Sequence, residues 1–300
     1  MYSGFASALI KQIKCAHDSG DLALSRKAAE QEFIINADLV CVSCRREYRI
    51  SEGILDMMDG MPHLAREVRQ EITARDEEAQ TYDSFTSQDW FKLEIPSTME
   101  HLSDLRGKAA VEFGSGTGRF TTEIVEQARS LLAVDLSRES LLVLSGKVPD
   151  GRCLGLVQAD VTSMKLQSDE FDIAVSTQVL EHIPTRELRL KFLEMVRKSL
   201  APGGFFLCTA YYQDMRRRLK LQPREGFHDS GVFFHYFNRR ELRQDFSPGF
   251  LISELRPFLF HVPLIWRLEL KHHWLTVLFD KIPFLKEFGS LVLAKCVKRA

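Results

Sequence analysis

The chain lacks the features that would send it into a membrane or onto a nucleic acid. Among its 300 residues no apolar run reaches the ~18 needed to span a bilayer. The N-terminal stretch MYSGFASALIKQIKC carries Lys11 and Lys14 and no long apolar core, so no secretory signal is expected. Lys plus Arg number 40 against 41 Asp plus Glu, a formal net charge of -1. Proteins that live on phosphate backbones usually carry a basic excess, so a nucleic-acid partner is not expected, although a local patch stays open. The six cysteines do not form a disulfide framework. Cys153, Cys208 and Cys296 fall in apolar, strand-like runs and read as buried thiols, which suits a reducing cytoplasm. Internal repeats and low-complexity tracts are also missing.

What is present separates into three regions. Residues 1–60 hold Cys15, Cys41, Cys44 and short apolar pieces. Residues 61–101 are polar, with charges of both signs alternating. They read as a solvated linker helix ending near Ser84, then an irregular stretch closed by Pro96. In residues 102–300 apolar runs alternate with amphipathic helical patterns, the signature of βαβ units around a parallel sheet. Seven strands are expected: Ala109–Phe113, Leu131–Asp135, Cys153–Gln158, Phe171–Ser176, Gly203–Thr209, Phe250–Leu255 and Gly289–Val297. Continuous apolar strands of this kind are buried on both faces.

The strongest motif is Val111-Glu112-Phe113-Gly114-Ser115-Gly116-Thr117-Gly118-Arg119. A strand ends in an acid and runs through G-x-G-x-G into a helix. The glycines let the backbone turn sharply and let a ligand approach it. The helix behind them offers N–H groups to an anion. A dinucleotide fingerprint would read G-x-G-x-x-G; here Gly118 comes one position early and Arg119 follows it. Asp135 ends the second strand, where an acid about 20 residues after the first glycine can accept both ribose hydroxyls. The competing role is a helix cap, which Ser137 can fill itself. Asp160, after the third strand, can accept from an adenine amino group. Gln178 and His182 follow the fourth strand, at the carboxyl edge where ligands sit in open α/β sheets.

These segments, with Leu180-Glu181-His182-Ile183-Pro184 and Pro202-Gly203-Gly204, resemble the class I S-adenosylmethionine-dependent methyltransferases. The likeness is close over about Leu102–Thr209 and loose beyond. It implies an α/β fold with a Rossmann-like, seven-stranded, mostly parallel sheet and helices on both faces, preceded by a small zinc-ribbon-like segment. It implies that Glu112 and Gly114 hold the methionine part, Asp135 the ribose, and Asp160 and Val161 the adenine. Ser115, Gly116, Gly118, Leu136, Ser176 and Gln178 complete the expected cofactor site. The Val179–Pro184 segment is typical of the branch that methylates small molecules.

Cys41-Val42-Ser43-Cys44 resembles the second knuckle of a small zinc ribbon, similar to the zinc-binding activator of tRNA and protein methyltransferases. The first knuckle reads Cys15-Ala16-His17-Asp18, with one cysteine replaced. Zinc accepts Cys, His and carboxylate, so Cys15, His17 or Asp18, Cys41 and Cys44 would close a structural site. The alternative is a ribbon that has lost its metal.

The acceptor would be read after the fifth strand, by covering insertions at 211–247 and 258–287. Arg216, Arg217, Arg218, Lys220 and Arg224 are either a solvated face or a clamp for an acidic or phosphorylated group. His228 and His235 are candidate bases, with His182 a third. The Phe-, Leu- and Trp-rich stretch from Phe258 to Phe284 suits a pocket cover or a weakly membrane-associated helix pair. The expected partner is a small molecule with an apolar body. Two other classes stay open: an RNA-modifying methyltransferase reading its substrate through the ribbon, and a nucleotide-binding oxidoreductase, against which Arg119 speaks.

Overall fold

The computed structural model describes residues 2–25, 31–58, 66–86, 89–102, 104–260 and 285–299. Eleven strands form its central sheet: β1 (Leu22–Leu24), β2 (Ala37–Cys41), β3 (Glu47–Ser51), β4 (Ile54–Asp56), β5 (Ala109–Phe113), β6 (Ser130–Asp135), β7 (Leu154–Gln158), β8 (Phe171–Thr177), β9 (Leu200–Tyr211), β10 (Phe250–Phe260) and β11 (Gly289–Lys298). The helices are α1 (Arg66–Glu78), α2 (Tyr82–Thr86), α3 (Asp89–Met99), α4 (Thr121–Gln127), α5 (Arg138–Ser145), α6 (Arg186–Ser199), α7 (Met215–Leu219) and α8 (Arg239–Phe246).

Across the sheet the order is β10-β11-β9-β8-β5-β6-β7-β4-β3-β2-β1. Pairing is parallel from β9 through β4 and antiparallel at both ends. The order reverses at β5, whose neighbours are β6 and β8, so a crevice opens at the carboxyl end of β5. Side chains alternate across the sheet. Ala109, Val111 and Phe113 join one core with Phe192 and Val196 of α6 and Leu242 and Phe246 of α8. Ala110 joins the other with Ile124 of α4 and Leu141 and Leu144 of α5.

The sheet is wider than the seven strands expected. β4 pairs in parallel with β7, Ile54 opposite Leu156, so the N-terminal strands extend the central sheet instead of forming a detached module. An edge strand exposes a row of unpaired N–H and C=O groups, and β4 covers that row on β7. Phe5, Leu9 and Ile13 are buried in the same core as Val111 and Phe113. Pro202-Gly203-Gly204 lies inside β9, where the pairing with β8 shifts register between Phe171 and Ile173.

Residues 61–101 differ most from the sequence reading. Pro96 sits inside α3, not at the end of an irregular stretch, and Glu94 and Thr98 beside it are fully buried. The helices are pinned to the crevice. Ser137 Oγ donates to Asp76 Oδ1 at 2.6 Å, and Thr117 Oγ1 donates to Asp83 Oδ1 at 2.8 Å. The first insertion holds α7, a hairpin of Glu225–Phe227 with Phe233–His235, and α8. Residues 261–284, the bulk of the second expected cover, lie outside the described residues.

Candidate active site

The crevice is built on the turn after β5. Gly114, Gly116 and Gly118 all have positive φ, at 75°, 52° and 97°, a region that side chains with a Cβ rarely enter. They serve different purposes. A Cβ on Gly114 would collide with Val179, and one on Gly118 with Leu144, so both allow close packing. A Cβ on Gly116 would meet nothing, because Gly116 faces the open cavity. Gly114, Ser115, Gly116, Asp135, Leu136, Val161, Gln178 and His182 line that cavity. Among the expected cofactor residues Gly118, Glu112, Asp160 and Ser176 do not line it.

Gly118 packs against Leu144 instead, and the other three each have their own place. Glu112 is buried and accepts a hydrogen bond from Thr121 Oγ1 at 2.6 Å; burial pushes its carboxyl up to about 8. Asp160 accepts from the N–H and Oγ1 of Thr162, both at 2.8 Å, closing its own turn. Ser176 is fully buried, and its hydroxyl has no partner among the described residues. The two roles open for Asp135 separate cleanly. Ser137 caps α5, accepting from the Ser140 N–H. The Asp135 carboxylate accepts from the Gly116 N–H at 2.7 Å and the Ser137 N–H at 2.9 Å. Burial raises its pKa, against the pull of those two donors.

The other wall comes from the helices that the sequence reading left in solvent. Glu71, Arg75 and Glu78 of α1 line the cavity, with Ala79 just after it and Tyr82 of α2. Glu71 and Arg75 are one turn apart and pair at 3.7 Å. Burial pushes the Glu71 carboxyl up to about 7; Arg75 opposes that shift, while Asp135 and Asp160 add to it. Arg119, which breaks the dinucleotide pattern, pairs with the buried Glu94 of α3 at 2.7 Å, and Gln178 Nε2 donates to the other Glu94 oxygen at 2.8 Å. Gln178 itself has φ 57°, and non-glycine residues held there cluster at functional sites.

The three histidines part ways. His182 is buried, and its Nδ1 lies 2.7 Å from the Phe233 carbonyl oxygen, so that nitrogen carries the proton. Its Nε2 lone pair then accepts from Arg75 Nη2 at 3.2 Å. Burial and the Arg75 charge push its pKa down to about 3, so the ring is neutral. His235 lies outside the cavity, held between Glu225 Oε2 at 3.1 Å and Glu241 Oε1 at 2.8 Å. His228 lines a second, neighbouring cleft that shares Gln178 and Tyr211 with the first. Burial, helped by Arg75, lowers its pKa. Arg216, Arg217 and Lys220 line this cleft too, with Tyr236. Arg216 and Arg217 share the buried Asp214, and the Arg217 guanidinium lies 4.3 Å from the Tyr236 ring centroid. Tyr211 stacks on Tyr236 at 5.7 Å.

In the N-terminal region Cys15, Asp18, Cys41 and Cys44 gather, with ligand atoms all within 4.8 Å of one another. His17, offered as a ligand from sequence, is exposed and outside this group, and Asp18 takes its place. The backbone decides between them: Asp18 accepts from the Gly20 N–H at 2.9 Å, which turns its carboxylate toward Cys41 Sγ at 3.3 Å.

Residues 111–208 match the methyltransferase domain family. The chain is 28% identical over 143 residues to a phosphoethanolamine N-methyltransferase of Triticum aestivum, covering 46% of this chain and 28% of the relative. It is 27% identical over 126 residues to a ubiquinone biosynthesis O-methyltransferase of Idiomarina loihiensis, covering 40% and 47%. The chain thus spans less than half the length of these relatives. In fold it is similar to the 1,6-didemethyltoxoflavin-N1-methyltransferase of Burkholderia thailandensis, with a TM-score of 0.54, 16% identity, and coverage of 92% of this chain and 99% of that one. The match begins in the strand that feeds the glycine turn and ends in the fifth strand of the expected seven, so the span that builds the crevice is a methyltransferase domain.

Proposed function

We propose that the chain transfers the methyl group of S-adenosylmethionine to a small-molecule acceptor with an acidic or phosphorylated head and an apolar body. One observation carries this reading: the cavity at the glycine turn and the basic, aromatic cleft beside it share Gln178 and Tyr211 as a common wall. Two reactants seated in adjoining compartments can meet in line across such a wall, and positioning of that kind lowers the barrier most. The donor supplies an electrophilic methyl on sulfur. The acceptor lone pair forms the new bond to that carbon as the carbon–sulfur bond breaks, and the leaving thioether is neutral.

In this reading Gly116 and Asp135 hold the adenosine end, and Arg75 reaches the donor's carboxylate or the acceptor's anion. Lys220 and the Arg216–Arg217 pair take the acidic head, and Tyr211 and Tyr236 take the apolar body. His228 is the base. Its lone pair has no competing cation among the described contacts, whereas Arg75 occupies that of His182. A neutral imidazole near pH 7 accepts the acceptor's proton.

The cysteine cluster fits a structural zinc ion. Four tetrahedral ligands with sulfur at ~2.3 Å lie about 3.8 Å apart, and Cys15 Sγ and Cys44 Sγ are 3.6 Å apart. Cys15, Asp18, Cys41 and Cys44 would hold the ion and tie the strands of the ribbon together, with no position open for chemistry.

The test is to incubate the protein with labelled S-adenosylmethionine and a cell extract separated into small-molecule, protein and RNA fractions. Label in the small-molecule fraction, retained on an anion exchanger, is expected. Label found in RNA and lost on RNase treatment would overturn the reading.

A further inference from the structure

The end of α7 and the turn after it expose two leucines, Leu219 at 74% and Leu221 at 89%. All of residues 219–223 are exposed. Leu221 is held at φ 52°, a left-handed conformation that a branched side chain rarely adopts. The turn is nevertheless anchored. The fully buried Asp214 caps α7 through the Arg217 N–H at 3.0 Å and pairs with Arg216 and Arg217. Between the two leucines stands Lys220, and after them Gln222; both line the acceptor cleft. The segment MRRRLKLQPR, residues 215–224, holds five cations and no acid; Arg216 and Arg217 pair with Asp214, Arg218 with Glu287 and Arg224 with Glu241, and of the five only Lys220 has no acidic partner among the described residues.

We propose that this turn docks the protein onto an anionic lipid surface and that the acceptor enters the cleft from that surface. The composition commits the occupant. Two leucine tips are far too small for a protein interface, which buries about 800 Å² per partner. Apolar tips beside cations are what an interfacial contact needs: the tips enter the acyl boundary while the cations stay among acidic headgroups. The cleft opens at the same turn, so an acceptor leaving the lipid meets Lys220 with its acidic head before its apolar body follows onto Tyr211 and Tyr236. The second half of the proposal rests on the acceptor cleft assigned above; the docking itself does not.

The test uses the full chain in flotation with vesicles of phosphatidylcholine alone and of phosphatidylcholine mixed with phosphatidylglycerol. Binding to the anionic vesicles only, weakened by salt, is expected. Leu219→Gln with Leu221→Gln should lower partitioning roughly tenfold or more, and Lys220→Gln roughly fivefold. The leucine double variant should keep its affinity for S-adenosylhomocysteine, which shows that it folds. Equal partitioning of this variant and the natural chain, or binding to neither vesicle, overturns the proposal. So does gel filtration showing that the natural chain self-associates through these leucines. If S-adenosylhomocysteine binds no form of the chain, the methyltransferase reading fails while the vesicle result still decides the docking.

Discussion

The two walls of the crevice are made by different means. On the sheet side, backbone carries the site: Gly116 faces open space, and Asp135 is fixed by two backbone N–H groups. On the helix side, long side chains carry it, with Glu71, Arg75 and Tyr82 reaching in from α1 and α2. A backbone site demands particular residues at particular spacings. A side-chain site can be built from any helix that arrives at the right angle, so its residues keep no fixed spacing in the chain.

Five variants would break or sharpen that contrast. The largest effect is expected at the acceptor cleft: His228→Ala should lower the methyl-transfer rate by roughly 10²–10⁴ while leaving S-adenosylhomocysteine affinity unchanged, measured by single-turnover kinetics and calorimetry. His235→Ala should instead cost stability, because it leaves Glu225 and Glu241 without their shared partner. An unchanged rate in His228→Ala would mean that alignment alone carries the reaction.

Next is the sheet side. Asp135→Ala should weaken cofactor affinity roughly ten- to a hundredfold, the worth of a lost charge-assisted pair of ~1.5–3 kcal/mol. Titration calorimetry with S-adenosylhomocysteine decides it; wild-type affinity in the variant would take Asp135 out of the site.

Third is a pH effect. Glu112 is pushed up to about 8 by burial, so the folded protein keeps a proton that the unfolded chain releases near pH ~4.3. Its contribution to stability is full below the unfolded value and is lost as pH rises through about 8. Urea denaturation at intervals from pH 5 to 8.5 should show the natural chain losing up to about 4 kcal/mol more than Glu112→Gln over that range. Parallel curves would show that the carboxyl is already ionised.

The smallest effect on catalysis is expected from the metal. Chelation, or Cys41→Ser, should release zinc and lower the melting temperature by several degrees, roughly 1–2 kcal/mol for a chain of this size, yet leave cofactor affinity within twofold. Less than a tenth of an equivalent of zinc in freshly purified protein would favour a ribbon held by its apolar residues alone.

The glycine turn, Asp135 and the seven catalytic strands could be read from sequence because backbone conformation and burial restrict which residues fit there. The helical wall could not. Its charges read as solvated because the sequence does not show that Glu71 and Arg75 face each other inside a cavity. Their four-residue spacing, with Ala74 and Ala79 buried alongside, was the available signal. The choice between His17 and Asp18 was equally closed to sequence, since adjacent residues point different ways and the Gly20 N–H decides which one turns inward. Glu112, Asp160 and Ser176 fall at the expected strand ends, but none of them lines the cavity: Glu112 accepts from Thr121, Asp160 accepts from Thr162, and Ser176 is buried.

The parallel pairing of β4 with β7 also sets an order of events during synthesis. The N-terminal strands leave the ribosome first, but their partner follows roughly a hundred residues later, a delay of about five to twenty seconds at ordinary elongation rates. For that interval Ile54 and Leu55, fully buried in the finished sheet, have no β7 to rest on. A nascent chain with an open apolar edge is exposed to mispairing and aggregation. A metal held by Cys15, Asp18, Cys41 and Cys44, all of which have emerged by residue 44, would hold the early strands in register until the rest of the sheet arrives.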